Sequence, residues 1–221
     1  MQHFVVQVAN GLHLHYADTI CNEMESSAKA RGTGIAKRTP EYIRQKMLEG
    51  KAVIALSKEG DWAGFCYIET WSHGNYVANS GLIVSPHFRK SGLATDIKKK
   101  IFELSQTKYP NAKIFGLTTG LAVMKINSDL GYEPVTYSEL TQDEAFWKGC
   151  QSCVNFEILK SKDRKNCLCT AMLYDPAEKH KPKWFNFVDK KKVMERLVRI
   201  KQNTFLKKLK LKKEEILSLF L

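Results

Sequence analysis

Arg89-Lys90-Ser91-Gly92-Leu93-Ala94 puts two cations and a glycine between an extended apolar run and an amphipathic one. A glycine lets backbone amides come close to a ligand. The unpaired N–H groups of a helix start, at the positive end of its dipole, attract phosphate. Arg89 and Lys90 add cations beside it, so the stretch through Thr95 is a candidate phosphate cradle. A second pair, Lys37-Arg38, precedes a helix start. Arginine grips a carboxylate with two parallel hydrogen bonds, so the pair reads as a carboxylate clamp or as a solvated loop. The third group is Cys150-x2-Cys153 with Cys167-x-Cys169. Four thiolates can hold a structural zinc ion. Residues 154–159 and 166–173, however, read as a hairpin around Ser161-Lys162-Asp163-Arg164. At ~3.4 Å per residue that hairpin leaves the two cysteine pairs roughly 10 Å apart. Zinc–sulfur bonds of about 2.3 Å do not tolerate such a gap. No metal is therefore expected, and the thiols are expected to be buried and reduced.

The elements that position these groups follow from apolar spacing. Val77, Ala78, Leu82, Ile83 and Val84 form a strand that Pro86 closes. Leu93, Ala94, Ile97, Ile101 and Leu104 then recur at the spacing of one helix face. Residues 4–9 read as a first strand and 14–30 as a helix, broken at Arg31-Gly32-Thr33-Gly34. Thr39 can cap the next helix and Pro40 suits its first position. Gly50 fits its stop. Residues 51–57 and 62–71 make a hairpin around Lys58-Glu59-Gly60-Asp61. Residues 112–118 are a buried strand, 122–130 a short helix stopped by Gly131, and 132–137 extend again. The order is α/β with a mixed sheet.

The chain has 221 residues, 43% hydrophobic and 26% charged, the composition of a soluble globular protein. No apolar run approaches a membrane span. The N-terminus lacks the basic and long apolar segments of a signal peptide. With six cysteines, a reducing cytoplasm is expected. Net charge is +12, unevenly placed. Residues 176–221 hold 14 Lys+Arg against 5 Asp+Glu, a balance of +9, and the rest carries +3. The expected division is 1–175, a folded domain, and 176–221, a basic helical extension with Val193, Leu197 and Ile200 on one face. That helix would pack on the domain or on another subunit, or contact nucleic acid or an anionic surface.

Arg89, Gly92 and Ala94, in this order of elements, resemble motif A of the GNAT acetyltransferases: Gln or Arg, two residues, Gly, one residue, then Gly or Ala. The resemblance covers roughly residues 1–140. It implies the GNAT acyl-CoA N-acyltransferase fold. It also implies that the amides of Arg89, Lys90, Ser91, Gly92, Leu93, Ala94 and Thr95 hold the pyrophosphate of acetyl-CoA or another acyl-CoA. Leu82, Ile83 and Val84 would lie along the pantetheine arm, with a backbone N–H of Ile83 or Val84 facing the thioester oxygen.

Two further segments are similar to bacterial N-acetylglutamate synthases. Residues 34–41 resemble their substrate loop, and Leu117-Thr118-Thr119 with Gly131-Tyr132-Glu133-Pro134-Val135 resemble their Leu-Thr-Thr and Gly-Phe-Glu-Pro-Val segments. More broadly the chain resembles stand-alone acetyltransferases associated with arginine biosynthesis in Bacteroidetes, including Cys150-Gln151-Ser152-Cys153 and the Lys-rich end. The resemblance implies acylation of the α-amine of an amino acid, L-glutamate foremost, from an acetyl or succinyl donor. Lys37, Arg38, Thr118 and Thr119 would hold that acceptor.

The reaction needs a base for the ammonium. Family members often carry a carboxylate on the motif A strand, where this chain has Ala78, Asn79 and Ser80. Glu69 on the preceding strand is the best local carboxylate, His73 the second, and a water chain the third. The family's leaving-group tyrosine is replaced by Asn127, which can hydrogen-bond to CoA but cannot act as an acid. Tyr132 and Tyr137 are left for that role, or for packing. Two other functions fit the same residues: acetylation of protein amines with the tail docking a partner, and a non-catalytic acyl-CoA-binding module.

Overall fold

Alternating and β-branched runs build a seven-stranded mixed sheet. Its strands are β1 (Val5–Val8), β2 (Ala52–Leu56), β3 (Trp62–Trp71), β4 (Tyr76–Val84), β5 (Lys113–Thr118), β6 (Glu133–Val135) and β7 (Thr170–Tyr174), in the order β1-β2-β3-β4-β5-β7-β6. The computed structural model describes residues 3–32 and 37–178. The chain divides into a compact unit, Met1–Pro176, and a second, Ala177–Leu221, of which only the first two residues are described. The expected tail helix and residues 34–36 of the expected substrate loop lie outside the described residues.

The helices are α1 (Ala17–Arg31), α2 (Pro40–Leu48), α3 (Leu93–Lys108), α4 (Leu121–Asp129), α5 (Glu144–Gly149) and α6 (Phe156–Ser161). Thr39 caps α2 by accepting from Tyr42 N–H, with Pro40 at the first helical position. A single 3-10 turn, Gly11–Tyr16, precedes α1, so the first helix starts later than its apolar spacing suggests.

The two faces of the sheet bury different helices. One face packs Val53, Cys66, Ile68 and Val77 against Leu93, Ile97 and Ile101 of α3. Met172 of β7 and Met124 of α4 belong to the same cluster. The other face packs Ile54, Phe65 and Tyr67 against Ile20 and Met24 of α1 and Ile43 and Met47 of α2. Further along it, Ala78, Phe115, Ala171 and Leu173 lie under Trp147 of α5 and Leu159 of α6.

The expected hairpin at 154–173 does not form. Residues 156–161 are helix α6, and β7 stands alone between β5 and β6. Burial explains this: Leu159 is buried, whereas Val154 and Ile158 are exposed. One inward residue per turn suits a helix; a strand would have buried alternate residues.

Candidate active site

Strands β4 and β5 run parallel and pair only from Tyr76↔Lys113 to Ala78↔Phe115. Beyond that point β5 keeps only its pairing with β7, on the edge away from β4, and β4 keeps only its pairing with β3. The sheet therefore forks. An extra residue on β4 sharpens the bend, because Phe65 pairs with Ile83 but Tyr67 with Ser80. Gly81 sits in this bulge at φ 65°, and a Cβ there would lie 2.4 Å from the Tyr67 ring. Ser85 N–H donates to Ala63 O. By strand alternation Ile83 then faces β3 and Val84 faces the fork. Leu82 and Val84 are half-buried on the α3 side, and Ile83 is buried on the α1 side.

At the end of β4 the chain turns into α3 through Gly92, the N-cap, at φ 86°. Nothing lies within 4 Å of the position a Gly92 Cβ would take, so the space above the helix start is open. Ser91 Oγ accepts from Leu93 N–H at 3.4 Å and Thr95 N–H turns back to Gly92 O. Ala94 N–H has no partner among the described residues. Lys90 is exposed, with φ 64°. These features fit a phosphate. Arg89 is placed differently from the simple expectation. Its Nη2 reaches Glu23 Oε1 at 2.9 Å and Ser27 Oγ at 2.6 Å on α1, and its Nε donates to Val84 O at 3.2 Å. It ties α1 to the strand that forms one arm of the fork.

On the opposite face, Glu69 is in register with Ala78 and, through it, with Phe115, the last rung before the fork. It is a 9% exposed carboxylate. Arg38 Nη2 donates to Glu69 Oε1 at 3.1 Å, and Tyr42 OH donates to the same oxygen at 2.6 Å. Arg38 Nε donates to Tyr67 OH at 2.7 Å, and Nη1 to Lys37 O at 3.1 Å. Glu69 Oε2 makes no hydrogen bond to a described residue. Burial opposes the Arg38 charge, but Tyr67 and Glu69 outweigh it, and its pKa stands above the ordinary arginine value. Burial, with Glu69 beside it, pushes the Tyr42 phenol well up, so it stays a donor.

Glu69 and Arg38 are thus brought together, with two tyrosines that the residue types alone did not single out. Tyr42 lies four residues after Arg38 and Tyr67 two before Glu69, spacings that share a face. Lys37 is separate: its ammonium is exposed, 3.6 Å from Glu25. Its backbone N–H donates to Ser152 Oγ at 3.3 Å. Thr118 ends β5 and uses Oγ1 to accept from Gly120 N–H, and Thr119 is exposed just beyond. His73 is exposed in the turn after β3 and outside the Glu69 network.

Behind the fork, Asn127 of α4 is 1% exposed, and its Oδ1 is buried without a partner. Its Nδ2 lies 3.7 Å from where a Gly116 Cβ would stand on β5. Tyr132 OH donates to Asn79 Oδ1 and Tyr137 OH to Cys169 O, so both phenols are committed within the chain. Lys98 of α3 is fully buried, bonded to Asn79 Oδ1 at 3.3 Å and stacked over the Tyr132 ring at 5.1 Å. Burial lowers its pKa to about 8.

The four late cysteines do not stand in the two distant pairs that a hairpin would give. Helix α6 turns the chain back. Cys153 Sγ then accepts from Asn155 N–H at 3.4 Å, while Cys167 Sγ reaches Asn155 O at 3.9 Å. No three His, Cys, Asp or Glu side chains among the described residues are arranged to hold a metal.

No family profile and no curated protein sequence matches this chain. Solved structures do. N-acetylglutamate synthase from Neisseria gonorrhoeae, complexed with coenzyme A and N-acetyl-glutamate, aligns with a TM-score of 0.55 and 14% identity over 79% of this chain. This chain spans 35% of that synthase's length. A Mycobacterium tuberculosis protein in complex with CoA also aligns at 0.55 and 14% identity, over 77% of this chain and 98% of that one. The GNAT superfamily phosphinothricin acetyltransferase from Sinorhizobium meliloti, in complex with acetyl-CoA, aligns at 0.53 and 13% identity over 78% and 88%. The forked sheet, with a glycine-capped helix at one arm of the fork, is the fold of the GNAT acetyltransferases.

Proposed function

We propose that this chain is an acyl-CoA-dependent N-acyltransferase acting on the α-amine of an amino acid, with L-glutamate as its foremost acceptor and an acetyl or succinyl donor. The observation that carries the reading is the Arg38–Glu69 pair at the last rung before the fork. An α-amino acid brings one ammonium and one carboxylate on neighbouring atoms. A paired guanidinium and carboxylate match both at once. Arg38 has five N–H groups, of which three are committed to Tyr67, Lys37 and Glu69, leaving two for the carboxylate. Glu69 Oε2 faces no donor and is the atom that takes the ammonium proton.

The helix start at Gly92–Thr95 fits the pyrophosphate, and Leu82, Ile83 and Val84 line the arm of the fork that the pantetheine would follow. Asn127 Oδ1, an orphaned buried acceptor, fits an amide N–H of that arm. The thioester supplies the electrophile when acyl-CoA is bound. Val84 turns its peptide group toward the fork. Since Tyr132 and Tyr137 are committed elsewhere, the departing thiolate takes its proton from solvent. Glutamate is favoured over other amino acids by the likeness to the synthases' segments, with Lys37, Thr118 and Thr119 as the groups for its side-chain carboxylate.

The test is a thiol-release assay on the full chain with acetyl-CoA and succinyl-CoA, across free amino acids and lysine-bearing peptides. Glutamate is expected to be fastest. Faster turnover of the peptides would replace this reading with protein acetylation.

A further inference from the structure

The turn at 149–153 forms a wall beside the acceptor loop. Ser152 Oγ accepts the Lys37 N–H at 3.3 Å, and Lys37 leads directly into Arg38. Cysteines flank that serine. Cys153 N–H donates to Cys150 O at 3.0 Å, closing an i to i+3 turn. Such a turn holds its end Cα atoms within about 7 Å. A disulfide needs about 4.4–6.8 Å, so the two residues are in bridging range. Both are half-buried and reachable. Cys150 and Cys167 pack against the cluster that holds Trp147 and Tyr137, and Cys153 accepts from the N–H of Asn155 while Cys167 reaches the carbonyl of the same residue.

We propose that Cys150 and Cys153 are a thiol–disulfide modification site whose oxidation loosens the acceptor loop; the effect on catalysis rests on the function proposed above. The oxidant is a small disulfide of the oxidised-glutathione class. Cys153 thiolate attacks one sulfur, and one reagent thiol leaves. Cys150 then loses its proton to solvent and attacks Cys153 Sγ, releasing the second thiol. Two protein thiols are oxidised and one reagent disulfide becomes two thiols. Burial, with Cys153 and Cys167 close by, pushes the Cys150 thiol up to about 11, which suits the resolving role better than the attacking one. Closing the bond pulls the two flanking side chains together and twists the short turn between them, which displaces Ser152 Oγ from Lys37 N–H without moving the Cα atoms out of bridging range. The Glu69 end of the network and the Gly92 loop lie on other elements and keep their geometry.

The experiment incubates the full chain with oxidised glutathione, maps disulfides by mass spectrometry after thiol blocking, and follows limited trypsin cleavage after Lys37 and Arg38. The expected result is a Cys150–Cys153 bond, cleavage there at least several-fold faster, and reversal by dithiothreitol. Cys150→Ser should resist both changes. In the active enzyme the KM for the acceptor should rise about tenfold while CoA affinity in calorimetry stays the same. The trypsin readout needs no activity, so it separates failure of this site from failure of the acyltransferase reading. A bond between other cysteines, or a Cys150–Cys153 bond with unchanged cleavage, would overturn the proposal. So would one equivalent of zinc released from the untreated chain by a mercurial reagent, since the thiols would then be ligands.

Discussion

Glu69 and Arg38, 31 residues apart in sequence, form a buried ion pair at 3.1 Å, one strand away from the point where β4 and β5 separate. A buried pair of this kind resists loss of one partner, because the other charge is left uncompensated. In the function proposed above, its place beside the fork also lets it handle a zwitterion.

Glu69→Gln is therefore expected to lower turnover by about 10²–10⁴ while acyl-CoA affinity is unchanged. The glutamine oxygen can still accept from Tyr42 and Arg38, so the fold should hold at reduced stability, the Arg38 charge being left uncompensated. Steady-state kinetics with calorimetry of CoA binding checks it. Wild-type turnover in the variant would move the proton-accepting role to His73 or to water.

Gly92→Glu puts a carboxylate where the phosphate is expected and should abolish acyl-CoA binding. The open space around Gly92 leaves room for the side chain, and only φ 86° opposes it. Gly92→Asn is the control, because asparagine tolerates left-handed backbone. Binding kept by Asn and lost by Glu is the expected pattern in titration calorimetry. Equal affinities for all three chains would mean the loop does not meet the ligand.

Gly81→Ala should destabilise the domain by about 1–3 kcal/mol, through overpacking and backbone strain together. The added Cβ would stand 2.4 Å from the Tyr67 ring at a φ of 65°. Since Tyr67 holds Arg38, acceptor KM should also rise. Urea denaturation would show an unchanged midpoint if the bulge could relax freely.

Lys98→Met should stabilise the chain in a pH-dependent way. The folded pKa of Lys98, about 8, lies below its ordinary 10.5, so the unfolded chain holds the proton more tightly. Wild-type stability therefore rises with pH between these values, by up to about 3 kcal/mol. Methionine removes that dependence. The stability difference between variant and wild type should be largest at or below pH 8 and shrink toward pH 10.5. A difference that does not vary with pH would contradict the buried charge.

Local chemistry was readable along the chain. Thr39 and Pro40 start α2 because capping and a fixed φ depend only on neighbours. The apolar spacing from Leu93 to Leu104 and the glycine before it announce α3 and its open N-terminus for the same reason. Glu69 and Arg38 were visible as chemically apt residues, but their pairing was not. It depends on α2 being laid across the face of the sheet that carries the odd-numbered residues of β3, and that is settled by which apolar faces bury one another. Tyr42 and Tyr67 entered the network by the same packing.

The end of the domain shows the reverse case. From 154 to 173 the residues supported two strands, since Phe156, Ile158, Cys167 and Leu173 alternate acceptably. The edge of β5 that faces away from β4 instead pairs with β7 along its length, from Thr118 to Ile114. One strand satisfies that edge, so residues 156–161 take up their own hydrogen bonds as α6. The helix in turn draws Cys167 to the carbonyl of Asn155, whose N–H donates to Cys153. Residue types and near-neighbour spacing determined the glycine loop, the caps and most strands of this protein. The forked sheet, the Glu69–Arg38 pair and the gathered cysteines were decided only in tertiary structure, because each depends on contacts between residues that sequence separation leaves unconstrained.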